Sequence, residues 1–398
     1  VEPGETATIS FSEETMNSIA VYHLIATRSD IEAQQWGGGG PEWFGTVVYD
    51  GEVYDHMTFS KRGRASLGQV GKEKWDWNFN RGHRFQARDN YGKKYSVKWR
   101  EINVLPGTNP WWGNDVSTDG TILNESVGFR IYQLMGSPAS NTNCIQMRVS
   151  DETADVPRKQ YNGDLFGLYI AIQDPDSRFI QERGLPDGNL YNWHSNGDPL
   201  KNQGQDSVDD GSDQRDFKSN LRANTSLEWW QEHLNFDAYY AFNSGNLLIN
   251  NSDMRPNENM MSYYHPDGKC YPIPWDLDLT FEAAPHLGRG DTPAWENIYR
   301  VLSHDEVDLP YQNRIREYLS LLCNRHQSSM LVDEYSRFVW IDVPQSDRVA
   351  VSSLVKDGSR AIVTTASPHG FETGDVVTME GVNEPVYNGD NEITKVSD

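Results

Sequence analysis

Two segments between residues 44 and 80 alternate apolar and polar positions in the rhythm of a β-sheet. In 44–65, FGTVVYDGEVYDHMTFSKRGRA, Val and Tyr alternate with polar residues on both sides of Asp50-Gly51. Asp-Gly is among the dipeptides most prone to hairpin turns, so this segment predicts strand, tight turn, strand. KWDWNFN at 74–80 sets Trp75, Trp77 and Phe79 against Lys74, Asp76 and Asn78. That period of two predicts a half-buried strand with one aromatic face. The period then lengthens. Leu123, Val127, Ile131 and Leu134 recur at helical spacing, Gly136 can supply a left-handed C-terminal residue, and Pro138 forbids continuation. GLYIAIQ at 167–173 reads as a short apolar strand and GNLYNW at 188–193 as another.

Between 196 and 217, Asp198, Asp206, Asp209, Asp210, Asp213 and Asp216 stand among Gly, Ser, Asn and Gln, the composition of a solvated insertion. The spacing does not reproduce an EF-hand loop, so a plain acidic loop is preferred to a calcium site. Thr225-x-x-Glu228 predicts a capping box opening a helix, Phe236, Tyr239, Tyr240 and Leu247 a second helix, and 310–342 repeats apolar positions three to four apart. Sheet comes first and helices later, which predicts an α+β chain. From about 346 the texture changes: Val, Ile and Thr alternate between Asp-Gly, His-Gly, Thr-Gly and Asn-Gly turns, a separate small β-module. Its HGFETGDVV...GV...YNG pattern resembles short modules attached to phage-tail and secreted structural proteins. The chain stops two residues after the last strand-like position, which reads as the cut end of something longer. The opening VEPGETATISFSEE has neither a basic nor an apolar leader region and reads as a mature or trimmed terminus.

Composition narrows the function. With 398 residues the chain is long enough for roughly two to three folding units, and 37% apolar residues with 13 Trp, 19 Tyr and 14 Phe can build a large core. Its 58 acidic against 35 basic side chains give a net charge of −23. Such a charge repels polyphosphate and anionic headgroups, so nucleic acid and membrane surfaces are disfavoured partners and a nucleotide needs a cation to enter. No apolar run approaches the length of a membrane span. Cys144, Cys270 and Cys323 are too few and too far apart for a disulfide framework or a metal knuckle, and they leave the compartment open. GGGG at 37–40 reads as a flexible connection, and neither GxxxxGK[ST] nor GxGxxG occurs.

The chemistry concentrates in 249–281, INNSDMRPNENMMSYYHPDGKCYPIPWDLDLTF. Asp276 and Asp278 follow the strand-like YPIPW, so two carboxylates at i and i+2 are expected to point to one side at a strand end. Hard divalent cations take such oxygens, Asn259 offers an amide oxygen, and Asp253 precedes them in a Pro-interrupted loop. The pairing suggests phosphoryl transfer: one Asp accepts a hydroxyl proton, an Asn and a second Asp hold magnesium on the phosphates, and a Lys from an earlier sheet grips the nucleotide. The bland alternative makes Asp253 a turn cap and pairs Asp276 with an arginine.

The run NNSD...NENMMSYY...YPIPWDLDLTF resembles the signature of the spore-coat protein H (CotH) kinase family: an Asp, an Asn before aromatic residues, then W-D-x-D-x-x-F. Supporting matches are KRGRAS at 61–66 followed by Lys74, the helix bearing Glu125 and ending in GSPAS, GLY at 167–169, GNLY at 188–191 and the Arg- and Leu-rich helices after 310. The resemblance implies a two-lobed atypical protein-kinase-like fold, with an antiparallel sheet lobe to about 173, a mostly helical lobe over 174–345, and the all-β module at 346–398. It implies transfer of the ATP γ-phosphate, with Mg2+ (Mn2+ or Ca2+ as substitutes), to Ser or Thr of proteins in a coat or other surface assembly. It matches Asp253 to the catalytic base, Asn259 and Asp276 to metal ligands, and Lys74 to the phosphate-gripping lysine, with Lys72 as competitor. Glu125 is then the expected ion-pair partner of Lys74, Arg62 a second approach to the phosphates, and Asp278 a carboxylate behind the metal or a helix cap. Two departures stand out: Gln173 replaces the usual acidic residue after the GxY strand, and Met260 and Met261 replace common aromatic residues. The expected setting is a spore coat, virion or extracellular surface, with the cytoplasm still open and no membrane insertion. The competing class is a structural component using a kinase-like scaffold and assembling through the β-module. A third, glycan binding, draws on Trp36, Trp43, Trp111, Trp112, Trp229 and Trp230, which more often serve as core.

Overall fold

A computed structural model describes residues 19–36, 41–63, 73–106, 122–151, 165–193, 198–251, 259–281 and 298–339. It also describes 349–394 apart from 359, 372, 374, 375, 380, 384 and 388. The chain is α+β and divides into two compact units, 1–340 and 341–398.

The first unit begins with β1 (Ala20–Ile25), α1 (Arg28–Trp36), β2 (Trp43–Tyr49), β3 (Glu52–Arg62), β4 (Lys74–Asn78) and β5 (Glu101–Leu105). It continues through α2 (Leu123–Leu134), β6 (Thr142–Ser150) and β7 (Leu165–Gln173). The seven strands close into a barrel in the order β1-β2-β3-β4-β5-β7-β6, sealed by a parallel β1–β6 pairing. The expected antiparallel sheet is therefore corrected in one respect: strand pairs with only local turns leave two edges, and closing them takes a pairing between strands distant in sequence. Period two holds cleanly in β4. Trp75 and Trp77 pair with Val104 and Ile102 on one side and with Lys61 and Phe59 on the other, and both tryptophans and the three apolar partners pack inside with Tyr22, Leu24 and Met57. Lys74, Asp76 and Asn78 therefore face outward.

Next come α3 (Ser177–Glu182), β8 (Asn189–Trp193), β9 (Leu200–Asn202), α4 (Ser212–Ser219), α5 (Leu227–His233) and α6 (Phe236–Leu248). Then follow β10 (Met260–Tyr264), β11 (Cys270–Pro274), α7 (Asp305–Leu321) and α8 (Arg325–Val339). The second half is mostly helical among the described residues, as expected, and also contains a small second sheet, β11-β10-β8-β9. The acidic stretch is not a plain loop: it holds β9 and α4, whose Gln214 and Phe217 are buried. Asp198 binds Lys218 at 3.0 Å, and Asp213 accepts from Tyr191 and Asn189, so these carboxylates are structural. The α5 cap is Ser226, whose hydroxyl accepts from the Trp229 N–H, one residue beyond the expected Thr225. Trp230 is fully buried, in keeping with a core role, and Trp111 and Trp112 lie outside the described residues. All three cysteines are free thiols. No described helix is long and apolar enough to cross a membrane.

The second unit contains β12 (Val351–Asp357) paired with β13 (Arg360–Thr365), and β14 (Val376–Met379) paired with β15 (Gly389–Glu392), all antiparallel.

Helix α2 is seated by a close approach. A Cβ on Gly245 of α6 would lie 2.1 Å from the Tyr132 ring of α2, and the Tyr132 hydroxyl donates to Asn246. Gly245→Ala should therefore force α2 and α6 apart and lower stability by about 1–3 kcal/mol, read by urea denaturation.

Candidate active site

The site grows from the WDLDLTF segment, where alternate side chains part company. Trp275 and Leu277 are buried in the core shared by α2, β7, β10 and β11, with Leu277 Cδ1 close against Gly128 of α2. The intervening Asp276 and Asp278 are left at the surface of that core, and both act on the Lys74 ammonium. Strand alternation is not the cause, contrary to the expectation from sequence. The strand ends at Pro274, and Asp276 is left-handed with φ 57°. Leu277 N–H donates to Glu125 Oε1 at 3.3 Å, and the Thr280 hydroxyl donates to Leu277 O at 2.9 Å, so the turn is held from α2 and from within.

Lys74 Nζ lies 2.9 Å from Asp278 Oδ2, with both side chains about 15% exposed. Burial alone depresses the lysine pKa, but Asp278, Asp276 and Glu125 outweigh it and hold the ammonium well above its ordinary range. Asp276 is pushed up by burial and by the Asp278 charge, with Lys74 and Arg62 opposing. A carboxylate in that position gains from a further cation. Arg62 ends β3 opposite Lys74, and its guanidinium stacks over the Trp275 ring at 4.9 Å from the centroid. Asn259 directly precedes β10, whose Met260 pairs with Pro274, so the register brings it beside Trp275 and Asp276. Asn259 is also left-handed, φ 63°. Two non-glycine residues held in that costly conformation at one end of one strand pair are the kind of strain that marks functional sites.

Asp253 and Lys72 lie outside the described residues. The structure thus brings Lys74, Asp276, Asp278, Glu125 and Arg62 together, with Asn259 adjacent. The direct ion-pair partner of Lys74 is Asp278, while Glu125 adds its charge to the same ammonium and gives an oxygen to the turn. Lys61, unconsidered in the sequence, points into the barrel and pairs with Glu73 at 3.2 Å, both almost fully buried. Among the described residues no group of three or more His, Cys, Asp or Glu forms a metal cage. The donor set still fits Mg2+, which commonly takes one or two carboxylates and completes its octahedron with water and phosphate oxygens. Asp276, Asp278 and the Asn259 amide are the residues that would hold it.

A second charged cluster, with no obvious motif, lies on the same outward face. Lys201 of β9 reaches Asp174 Oδ1 at 2.7 Å and Glu101 Oε1 at 3.3 Å, and Asn103 Nδ2 donates to Asp174 Oδ2 at 3.0 Å. Asp76 and Glu101 interact directly. Burial and neighbouring carboxylates push Glu101 up to about 8 and Asp76 up to about 6, so the pair holds a proton near neutrality. Gln173, at the end of β7, donates to Glu182 Oε2 at 2.8 Å, the acceptor that Trp99 and Asn141 also share. An acidic residue at 173 would place a second carboxylate against Glu182.

The Glu101 proton is bound more tightly in the folded chain than in the unfolded one, where the pKa is about 4.5. Its stabilising contribution is complete below about pH 4.5 and is lost as pH rises through about 8. The permanently neutral Glu101→Gln should therefore gain melting temperature over the parent between pH 5 and pH 8.5, measured by calorimetry.

No curated protein matches the chain significantly. A family model described as CotH kinase protein matches residues 80–340. That match covers about two thirds of the sequence and takes in α2, the second sheet and the WDLDLTF turn, and on this ground the chain belongs to the CotH kinase family.

Proposed function

We propose that the protein is an atypical protein kinase that uses Mg2+ and ATP to phosphorylate Ser or Thr on proteins of a coat or other surface assembly. The barrel with α2 serves as one lobe, and the second sheet with α4 to α8 as the other. The observation that carries this reading is the Lys74–Asp278 contact of 2.9 Å, formed between strand β4 of the barrel and the turn after β11, with Asp276 and Glu125 acting on the same ammonium. Three carboxylates around one lysine leave an excess of negative charge that suits a divalent cation, and a lysine beside that cation suits a phosphate.

In this reading Lys74 releases Asp278 in part when a triphosphate enters and binds its oxygens, while Glu125 keeps the ammonium aimed into the cleft. Arg62, steadied over Trp275, adds a second positive charge toward the phosphates. Asp276, Asp278 and Asn259 would hold Mg2+, which neutralises phosphate charge when bound. Asp253 accepts the proton of the attacking hydroxyl. Buried walls of Trp275 and Leu277 limit water near the transferred group.

A scaffold reading draws on the second unit. Its β12–β13 ribbon exposes Val351, Val355, Ile362 and Val363, and a two-stranded ribbon is marginal alone in water. Assembly through this module is compatible with catalysis in the first unit.

Asp276→Ala should abolish the magnesium-dependent thermal shift produced by ATP while the melting transition itself persists. An unchanged shift removes Asp276 from the metal site. Asp253→Asn should bind Mg-ATP nearly as well as the parent and lose phosphate transfer by about 10²–10⁴-fold, because a base acts on the chemical step. Labelled ATP with the protein and its co-purifying partners measures that loss.

A further inference from the structure

The Lys201 cluster has no part in the chemistry above, yet it is built onto the same surface. On β4, Lys74 and Asp76 are two residues apart and share the outward face opposite Trp75 and Trp77. The β4–β5 register places Asn103 beside Asp76 and Glu101 beside Asn78. At about 3.3 Å per residue, Glu101 stands about 13 Å along the strand from Lys74, and Asp76 about halfway. That strip is comparable in length with an extended nucleoside triphosphate. Both of its ends are crossed by a lysine: Lys74 reaches from the barrel to the turn after β11, and Lys201 reaches from the second sheet back to the barrel. Arg62 links the two ends, since its charge acts on both Asp276 and Asp76.

The chemistry of the two ends is opposite. The Lys74 end offers cations to phosphate oxygens. The Glu101 end holds three carboxyl groups, from Asp76, Glu101 and Asp174, against one lysine and one amide donor. Acceptors there outnumber donors, and the buried Asp76 Oδ1 has no hydrogen-bond partner among the described residues. A buried acceptor in that state is costly and calls for a neutral donor, which excludes another phosphate and favours a hydroxyl.

We propose that Asp76 and Glu101 form the subsite for the ribose hydroxyls of the nucleotide, which lies along the β4–β5 face with its phosphates at Lys74. The proposal rests on the nucleotide reading above and adds the polarity of the bound molecule. Asp76 accepts a hydrogen bond from one hydroxyl and Glu101 from the other, while Lys201, itself held by Asp174, keeps Glu101 in place. The pair's shared proton lets one carboxyl remain neutral as the sugar arrives.

The test compares Mg2+ complexes of ATP, 2′-deoxy-ATP, 3′-deoxy-ATP and inorganic tripolyphosphate by titration calorimetry, on the parent chain and on Asp76→Asn and Glu101→Gln. The parent should lose about tenfold in affinity when a ribose hydroxyl is removed, a reading that does not depend on any variant folding. Each variant should weaken ATP by about the same factor, leave tripolyphosphate within about twofold, and show little further loss with the deoxynucleotide. Equal losses for ATP and tripolyphosphate, or deoxynucleotide losses that are the same in parent and variants, overturn the subsite. A coupling seen instead with purine riboside triphosphate, which lacks the 6-amino group, assigns the carboxylates to the base and also overturns it. If the parent binds neither ATP nor tripolyphosphate, the nucleotide reading itself fails and takes the subsite with it.

Discussion

One ammonium group organises the centre of this molecule. Lys74 Nζ is nearly enclosed, and it remains charged because Asp278, Asp276 and Glu125 reach it from the turn after β11 and from α2. Remove that charge and two carboxylates would be left facing each other in a partly buried site, a costly arrangement. The ion pair therefore ties the barrel to the WDLDLTF turn. The same ammonium gathers Asp278, Asp276 and Glu125 around one point.

The constraint behind the lysine is packing. Trp75 and Trp77 fill the barrel interior and cannot be moved to the outer face without exposing both indoles, so the register of β4 is pinned and Lys74 must point out. The turn is pinned in the same way from the other side, by Leu277 buried beneath Gly128 and by the bond from its N–H to Glu125. Tyr132 against Gly245 then fixes α2 at the depth that allows this bond. The site is precise because three separate apolar fits converge on it, while its own polar contacts are few.

Membership in the CotH kinase family sets the chemistry in context, and the local features give it particular form. Gln173 shares Glu182 with Trp99 and Asn141 where a second carboxylate would repel it, so the amide at 173 keeps this junction of β7 and α3 bonded. The Lys201 clasp is a second ionic link between the barrel and the β8–β11 sheet, and it gathers Glu101 and Asp174 around one ammonium.

Period-two alternation with two tryptophans determined β4 and the face of Lys74, and the Asp50-Gly51 turn determined the first hairpin, because both signals are local and strong. The W-D-L-D string likewise carried its own division into apolar residues that enter the core and carboxylates that stay at its edge. Closure of the barrel by β1 and β6 was decided only in three dimensions, since a parallel pairing between strands more than a hundred residues apart leaves no local mark. So was the left-handed turn at Asp276, which depends on a hydrogen bond from α2, and so was the partnership of Asp76, Glu101, Asp174 and Lys201. Those four come from separate segments, and each reads alone as an ordinary surface charge. Local spacing reports which way a side chain faces, but the partners that set its charge and its task are chosen by packing between distant parts of the chain.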